Sequence, residues 1–222
     1  MKPYLTVLKA GRAEQDIERS RFIGYAIPAK TVSECEEFFN HIRKENRLAT
    51  HNVPAYVLGE CGQLQWAGDD GEPRGTSGAP IVNMLDKRGI SDVAVMITRY
   101  FGGTKLGTGG LVRAYTSTAK LAVEAAGIGL VSEKLVLFLE MDYSGYNRLE
   151  SSADSSYSIE GAMFTDVVTV SLVIPPDERE AALIEVRNLC PTARVVTERM
   201  DRVTTPFPLD VVNLWENQKA IK

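Results

Sequence analysis

The chain has 222 residues, 44% of them hydrophobic, with 25 Lys+Arg against 29 Asp+Glu and a formal net charge of −4. That length and apolar share suffice to bury one large or two small domain cores, and no run approaches the roughly 18 apolar residues a membrane span needs. The N-terminal segment is broken by charges every few residues, so neither a signal peptide nor a membrane segment is expected, and the location expected is cytoplasmic.

The charge is uneven: residues 1–134 hold 17 basic and 15 acidic side chains, whereas 135–222 hold 8 and 14. Between Val93 and Val123 stand Arg99, Lys105, Arg113 and Lys120 and no acid at all, a local positive field that falls well short of a dedicated nucleic-acid stripe. Cys35, Cys61 and Cys190 are odd in number and form no CxxC, which argues for free thiols rather than a disulfide framework or structural zinc. No metal and no cofactor is expected.

"YLTVLKA" and "RFIGYAI" read as strands around a polar connection. Thr31 then opens a helix with Glu34 three residues on, the spacing of a capping box, and Val32, Cys35, Phe39 and Ile42 form its apolar face. His41 falls on the polar face, as a solvated side chain. "NVPAYVLGECGQLQWAG" reads as a hairpin, with Pro54 suggesting an edge or a bulge and His51 just before it. "TSGAPIVNMLDKRG" reads as a helix capped by Thr76 or Ser77 and closed by Gly89. "SDVAVMITRYF" is the apolar run of a central strand, and a glycine loop leads from it into the helix "LVRAYTSTAKLAVEAAG". After a connection of little periodicity, "GIGLVSEK", the pattern restarts as β-α-β-β-α-β and predicts a ferredoxin-like second domain.

Two loops carry the candidate chemistry. "GGTKLGTGG" does not meet the Walker pattern, because Thr108 stands where lysine is needed, nor the dinucleotide fingerprint, because Val112 takes the third glycine's place. Two readings stay open: an anion site at a helix N-terminus reinforced by Lys105 and Arg113, or a steric turn. "GDDGEPRGTSG" brings Asp69, Asp70 and Glu72 together as metal ligands or as an acidic turn that caps a helix or pairs with Arg74. Ser77 lacks a nucleophile elbow, and no catalytic residue is assigned.

"SRFIGYA", "ATHNVPAYVLG", "DDGEPRGTSGAP" and "ITRYFGGTKLGTGGLVRAY" together resemble the Impact family, in its bacterial YigZ branch, over nearly the whole chain. The resemblance implies an α+β fold: a domain similar to the second domain of ribosomal protein S5 at 1–132, a ferredoxin-like domain similar to a C-terminal domain of elongation factor G at 135–205, and a tail at 206–222. The family's eukaryotic relative is similar only in the first domain and acts in translational control through a separate domain, so that partner is not implied here.

The function expected is that of a translation-associated regulatory or binding protein contacting RNA, the ribosome or another phosphate-bearing ligand through the first domain. Its ligand site is expected at Arg99, Lys105, Arg113 and Lys120 with the loop residues Gly102, Gly103, Thr104, Gly107, Thr108, Gly109 and Gly110. His51, Asp69, Asp70, Glu72, Arg74, Thr76 and Ser77 are expected beside it. The alternatives are a metal-assisted enzyme acting on a small phosphorylated substrate, and a protein-interaction module built on the acidic second domain.

Overall fold

The computed structural model describes residues 2–152 and 157–207. The tail expected at 206–222, from 208 onward, and the end of the helical segment expected at 143–154 lie outside the described residues. The described residues divide into two compact units, one formed by Lys2–Val131 with 204–207, the other by Ser132–Val203.

In the first unit the elements are β1 (Tyr4–Val7), β2 (Gly11–Ile17), β3 (Ser20–Pro28), α1 (Val32–Glu45), β4 (His51–Leu58), β5 (Leu64–Ala67), α2 (Gly78–Lys87), β6 (Val93–Tyr100) and α3 (Gly107–Ala126). The main sheet runs β2-β3-β6-β4-β5, and each of its ladders is antiparallel. Successive side chains point to opposite faces of a strand, and both faces here are covered. Val93, Val95 and Ile97 pack with Val53, Ala55 and Val57 under α2 and α3. Ala94 and Met96 pack with Tyr56 and Leu58 under Cys35, Phe39 and Ile42 of α1. Burial on both faces is why β4 and β6 read as nearly continuous apolar runs.

Local signals explain where the helices start and stop. The capping box of α1 forms: Thr31 Oγ1 accepts from Glu34 N at 3.2 Å while Glu34 Oε2 accepts from Thr31 N at 3.3 Å. Pro54 lies in β4, which is an inner strand rather than an edge. Its carbonyl accepts from Gly68 N, just past the end of β5, so its missing N–H faces the side where the ladder has stopped. The polar connection between the first two strands is itself β2, whose residues alternate half-buried and exposed. Its inward side lets α3 come close: a Cβ on Gly11 would lie 2.3 Å from the backbone nitrogen of Ala126.

The second unit takes β7 (Ile128–Met141) from Ser132 on, then α4 (Tyr143–Glu150), β8 (Ser158–Phe164), β9 (Val168–Ile174), a 3-10 turn (Pro176–Glu178), α5 (Arg179–Leu189) and β10 (Arg194–Pro206) as far as Val203. This is the β-α-β-β-α-β order, with β9 between β7 and β8 and with β10 paired to β7. Leu135, Leu137, Leu139 and Val170 form its core with Leu149, Leu183 and Val186 of the two helices. Asp142 caps α4, and hydrogen bonds from Ser144, Thr192 and Gly145 N hold its carboxyl down at about 2. The segment expected as an aperiodic connection is strand: β7 is continuous from Ile128.

Candidate functional site

The residues expected to form one site fall into three places besides the glycine loop itself. The first is a buried polar cluster at the end of the main sheet. Cross-strand register puts Arg99 beside Phe22 of β3 and His51 of β4, on the face that carries α3. There Arg99, a residue only 4% exposed, donates from Nη1 to Glu72 Oε1 at 2.6 Å, and the Tyr115 hydroxyl donates to the same oxygen at 2.7 Å. Burial, and then the Glu72 carboxylate, push the Tyr115 hydroxyl's pKa up. Arg99 Nη2 donates to Ser20 Oγ, which also accepts from Gly102 N, so the cluster ties down the start of the glycine loop. The rings of Phe22 and Phe101 lie 5.2 and 5.4 Å from the guanidinium carbon. Arg99 Nε has no hydrogen-bond partner among the described residues.

His51 borders this cluster. Its Nδ1 faces the Asp70 carbonyl at 2.7 Å and must be the donor there, which leaves Nε2 3.7 Å from Glu72 Oε1. Arg99, expected among the cations presented to a ligand, is therefore spent on Glu72, because a buried guanidinium is tolerated only when paired.

The second place is the acidic loop, which is organised around the start of α2. Asp69 Oδ1 accepts from Ser77 Oγ at 2.6 Å, Gly78 N at 3.0 Å and Ser77 N at 3.3 Å, and Oδ2 accepts from Gly75 N at 2.7 Å. Burial acts to raise the Asp69 pKa, but these hydrogen bonds outweigh it and hold the carboxyl below the usual range. Ser77 is the N-cap residue, yet Asp69 supplies the capping oxygen. Asp70, at φ +47°, accepts from Asn52 N at 2.5 Å. Thr76 is buried and donates to Pro73 O, and Arg74 is exposed. With these oxygens engaged, no group of three or more metal-ligating side chains gathers among the described residues.

The third place is the solvent side of α2 and α3. A groove of about 910 Å³ runs between them, lined by Lys87 and Arg88 at the end of α2 and by Arg113 and Lys120 of α3. No acidic residue lines it. Lys120 Nζ also stands 3.8 Å from Glu124 Oε1, one turn further along α3 and outside the groove lining. Arg113 and Lys120 were legible as outward positions of the α3 stripe. Lys87 and Arg88 were not, since only the packing of α2 on α3 brings them there. Lys105 is exposed in the glycine loop and does not line the groove. Gly103 and Gly107 have positive φ, Thr104 and Gly110 are half-buried, and Thr108 and Gly109 are exposed. The α3 N-terminus has no side-chain cap.

The model of the Impact N-terminal domain matches residues 18–123, from the start of β3 into α3. The IMPACT family member YvyE of Bacillus subtilis (strain 168) is 38% identical over 181 residues, which cover 80% of this chain and 82% of that protein. The chain belongs to the Impact family. The IMPACT family member YigZ of Escherichia coli (strain K12) is 39% identical over 103 residues, covering 46% of this chain and 50% of its own. Among solved structures, a crystal structure of a hypothetical protein aligns over 90% of this chain and 97% of its own length, with a TM-score of 0.57 at 24% identity. That likeness concerns the fold alone.

Proposed function

We propose that this Impact family chain is a translation-associated binding protein of the cytoplasm whose first unit engages a phosphate-bearing partner, RNA or the ribosome. The translational part of the reading rests on the family. The binding part rests on one observation: four cations, Lys87, Arg88, Arg113 and Lys120, share the groove on the solvent side of α2 and α3 with no acid among its lining residues. Such a face raises the local concentration of a polyanion and favours its docking. A metal-assisted enzyme fits less well, because Asp69, Asp70 and Glu72 are consumed by the α2 cap, by Asn52 N and by Arg99 with Tyr115.

The test is to purify the tagged chain from cells under mild salt and measure the nucleic acid that accompanies it, with and without ribonuclease. RNA recovery that drops in a Lys87→Gln/Arg113→Gln variant supports the reading. A partner set unaffected by ribonuclease and by that variant contradicts it.

A further inference from the structure

We propose that the α2–α3 groove is a docking site for the sugar–phosphate backbone of RNA, read without stacking on the bases. This rests on the reading that the first unit binds a phosphate-bearing partner and names the surface and the chemistry it recognises.

The groove's donors determine what fits. Thr116 Oγ1 donates back to Val112 O and Arg113 O, and Ser117 Oγ donates to Ala114 O, so these hydroxyl protons are spent within the helix. The donors that line the groove are then Lys87, Arg113 and the amide of Asn83, joined by Arg88 and Lys120, which also have partners within the protein. Phosphate oxygens accept from Lys and Arg with little geometric demand, and such contacts set position rather than sequence. Sequence-tolerant recognition of single strands ordinarily adds aromatic platforms for the bases. None of the residues lining this groove is aromatic. Pro80, Met84 and Val112 leave apolar surface between the cations, so an acidic peptide is the competing occupant that the polyglutamate arm tests.

The spacing suits a strand rather than a lone ion. Arg113 and Lys120 are seven positions apart on one helix, roughly 10.5 Å at 1.5 Å per residue. That span covers more than one phosphate-to-phosphate step of a strand. Lys87 and Asn83, one turn apart on α2, face them across the groove.

The full chain is titrated with fluorescent short oligouridine, oligoadenosine and oligocytidine over a series of salt concentrations, with inorganic phosphate and polyglutamate as competitors. Expected are affinities alike within about threefold across the bases and a log–log salt slope set by two to four contacts at about −0.7 each. Lys87→Gln/Arg113→Gln should shallow that slope by about 1.4. Lys105→Gln and the charge-matched Lys30→Gln/Lys44→Gln pair should leave it unchanged.

Binding that depends strongly on the base, or a slope altered by Lys105→Gln but not by the groove pair, overturns the groove assignment while leaving the phosphate-binding reading in place. Displacement by inorganic phosphate at concentrations equal to its RNA equivalent shows a single-anion site and also overturns it. Polyglutamate that binds more tightly than RNA assigns the groove to an acidic protein partner instead. If no polyanion binds at all, phosphate binding by the first unit is itself ruled out.

Discussion

Glu72 and Arg99 stand 27 positions apart and meet as an ion pair of 2.6 Å with side chains only 4 and 5% exposed. A pair so placed is costly to halve, because the surviving charge stays buried. Arg99→Met should therefore destabilise the first unit by about 3–5 kcal/mol in urea unfolding, whereas Glu72→Met combined with Arg99→Met should recover a large share of that loss. A single variant that costs under about 1 kcal/mol would show that water reaches the cluster.

The glycine loop separates two kinds of glycine. Gly109 is not among the positive-φ glycines, and a Cβ there meets only Arg113 Nη1 at 3.8 Å. Gly109→Ala should then be neutral or stabilise α3 by up to about 1 kcal/mol. Gly102 differs, since its Cβ would lie 1.8 Å from the Arg19 carbonyl oxygen. Gly102→Ala should lower the melting temperature, and equal melting of the two variants would contradict the loop geometry.

Asp69 links the acidic loop to pH. Its folded pKa is depressed, so the stability it contributes is fully present above the unfolded carboxylate value of about 3.9 and is lost as pH falls through the folded value. Asp69→Ala should cost about 0.5–2 kcal/mol near neutral pH, by loss of the α2 cap. That difference from the parent should shrink in acid. A cost independent of pH would exclude a carboxylate cap.

The thiols should react in order. Cys61 is exposed, whereas Cys35 and Cys190 are buried, and burial, with the nearby Glu34 carboxylate, pushes the Cys35 thiol up to about 11. A thiol reagent should consume one equivalent rapidly in the folded protein and three after denaturation. Fast modification of Cys35 would mean that α1 lifts from the sheet.

What could be read from the sequence was what neighbouring residues specify. The capping box at Thr31 and Glu34, the stripe of Leu111, Tyr115 and Thr118, and the central place of β6 all follow from spacing along one element. β2 escaped because its outward Arg12, Glu14 and Asp16 hide a half-buried face that meets α3 only in three dimensions. Arg99 reads as a presented cation in the sequence because Glu72, its partner, comes from a different loop. Ser20 and Tyr115 joined the cluster without any signal of their own, since a serine at a strand start and a tyrosine on a packed stripe look like ordinary structure. The groove had the same obstacle: half of its charge lies at the end of α2, and only helix packing adds it to Arg113 and Lys120.

Lysine acetylation footprinting of the full chain, with and without saturating oligouridine and read by mass spectrometry, is the most direct test of the phosphate-binding face. Lys87 and Lys120 should be protected, while Lys30 and Lys44, just before α1 and in its last turn, react at unchanged rates. Protection confined to Lys105, or spread evenly over the lysines of both units, would contradict the assignment of that face to α2 and α3.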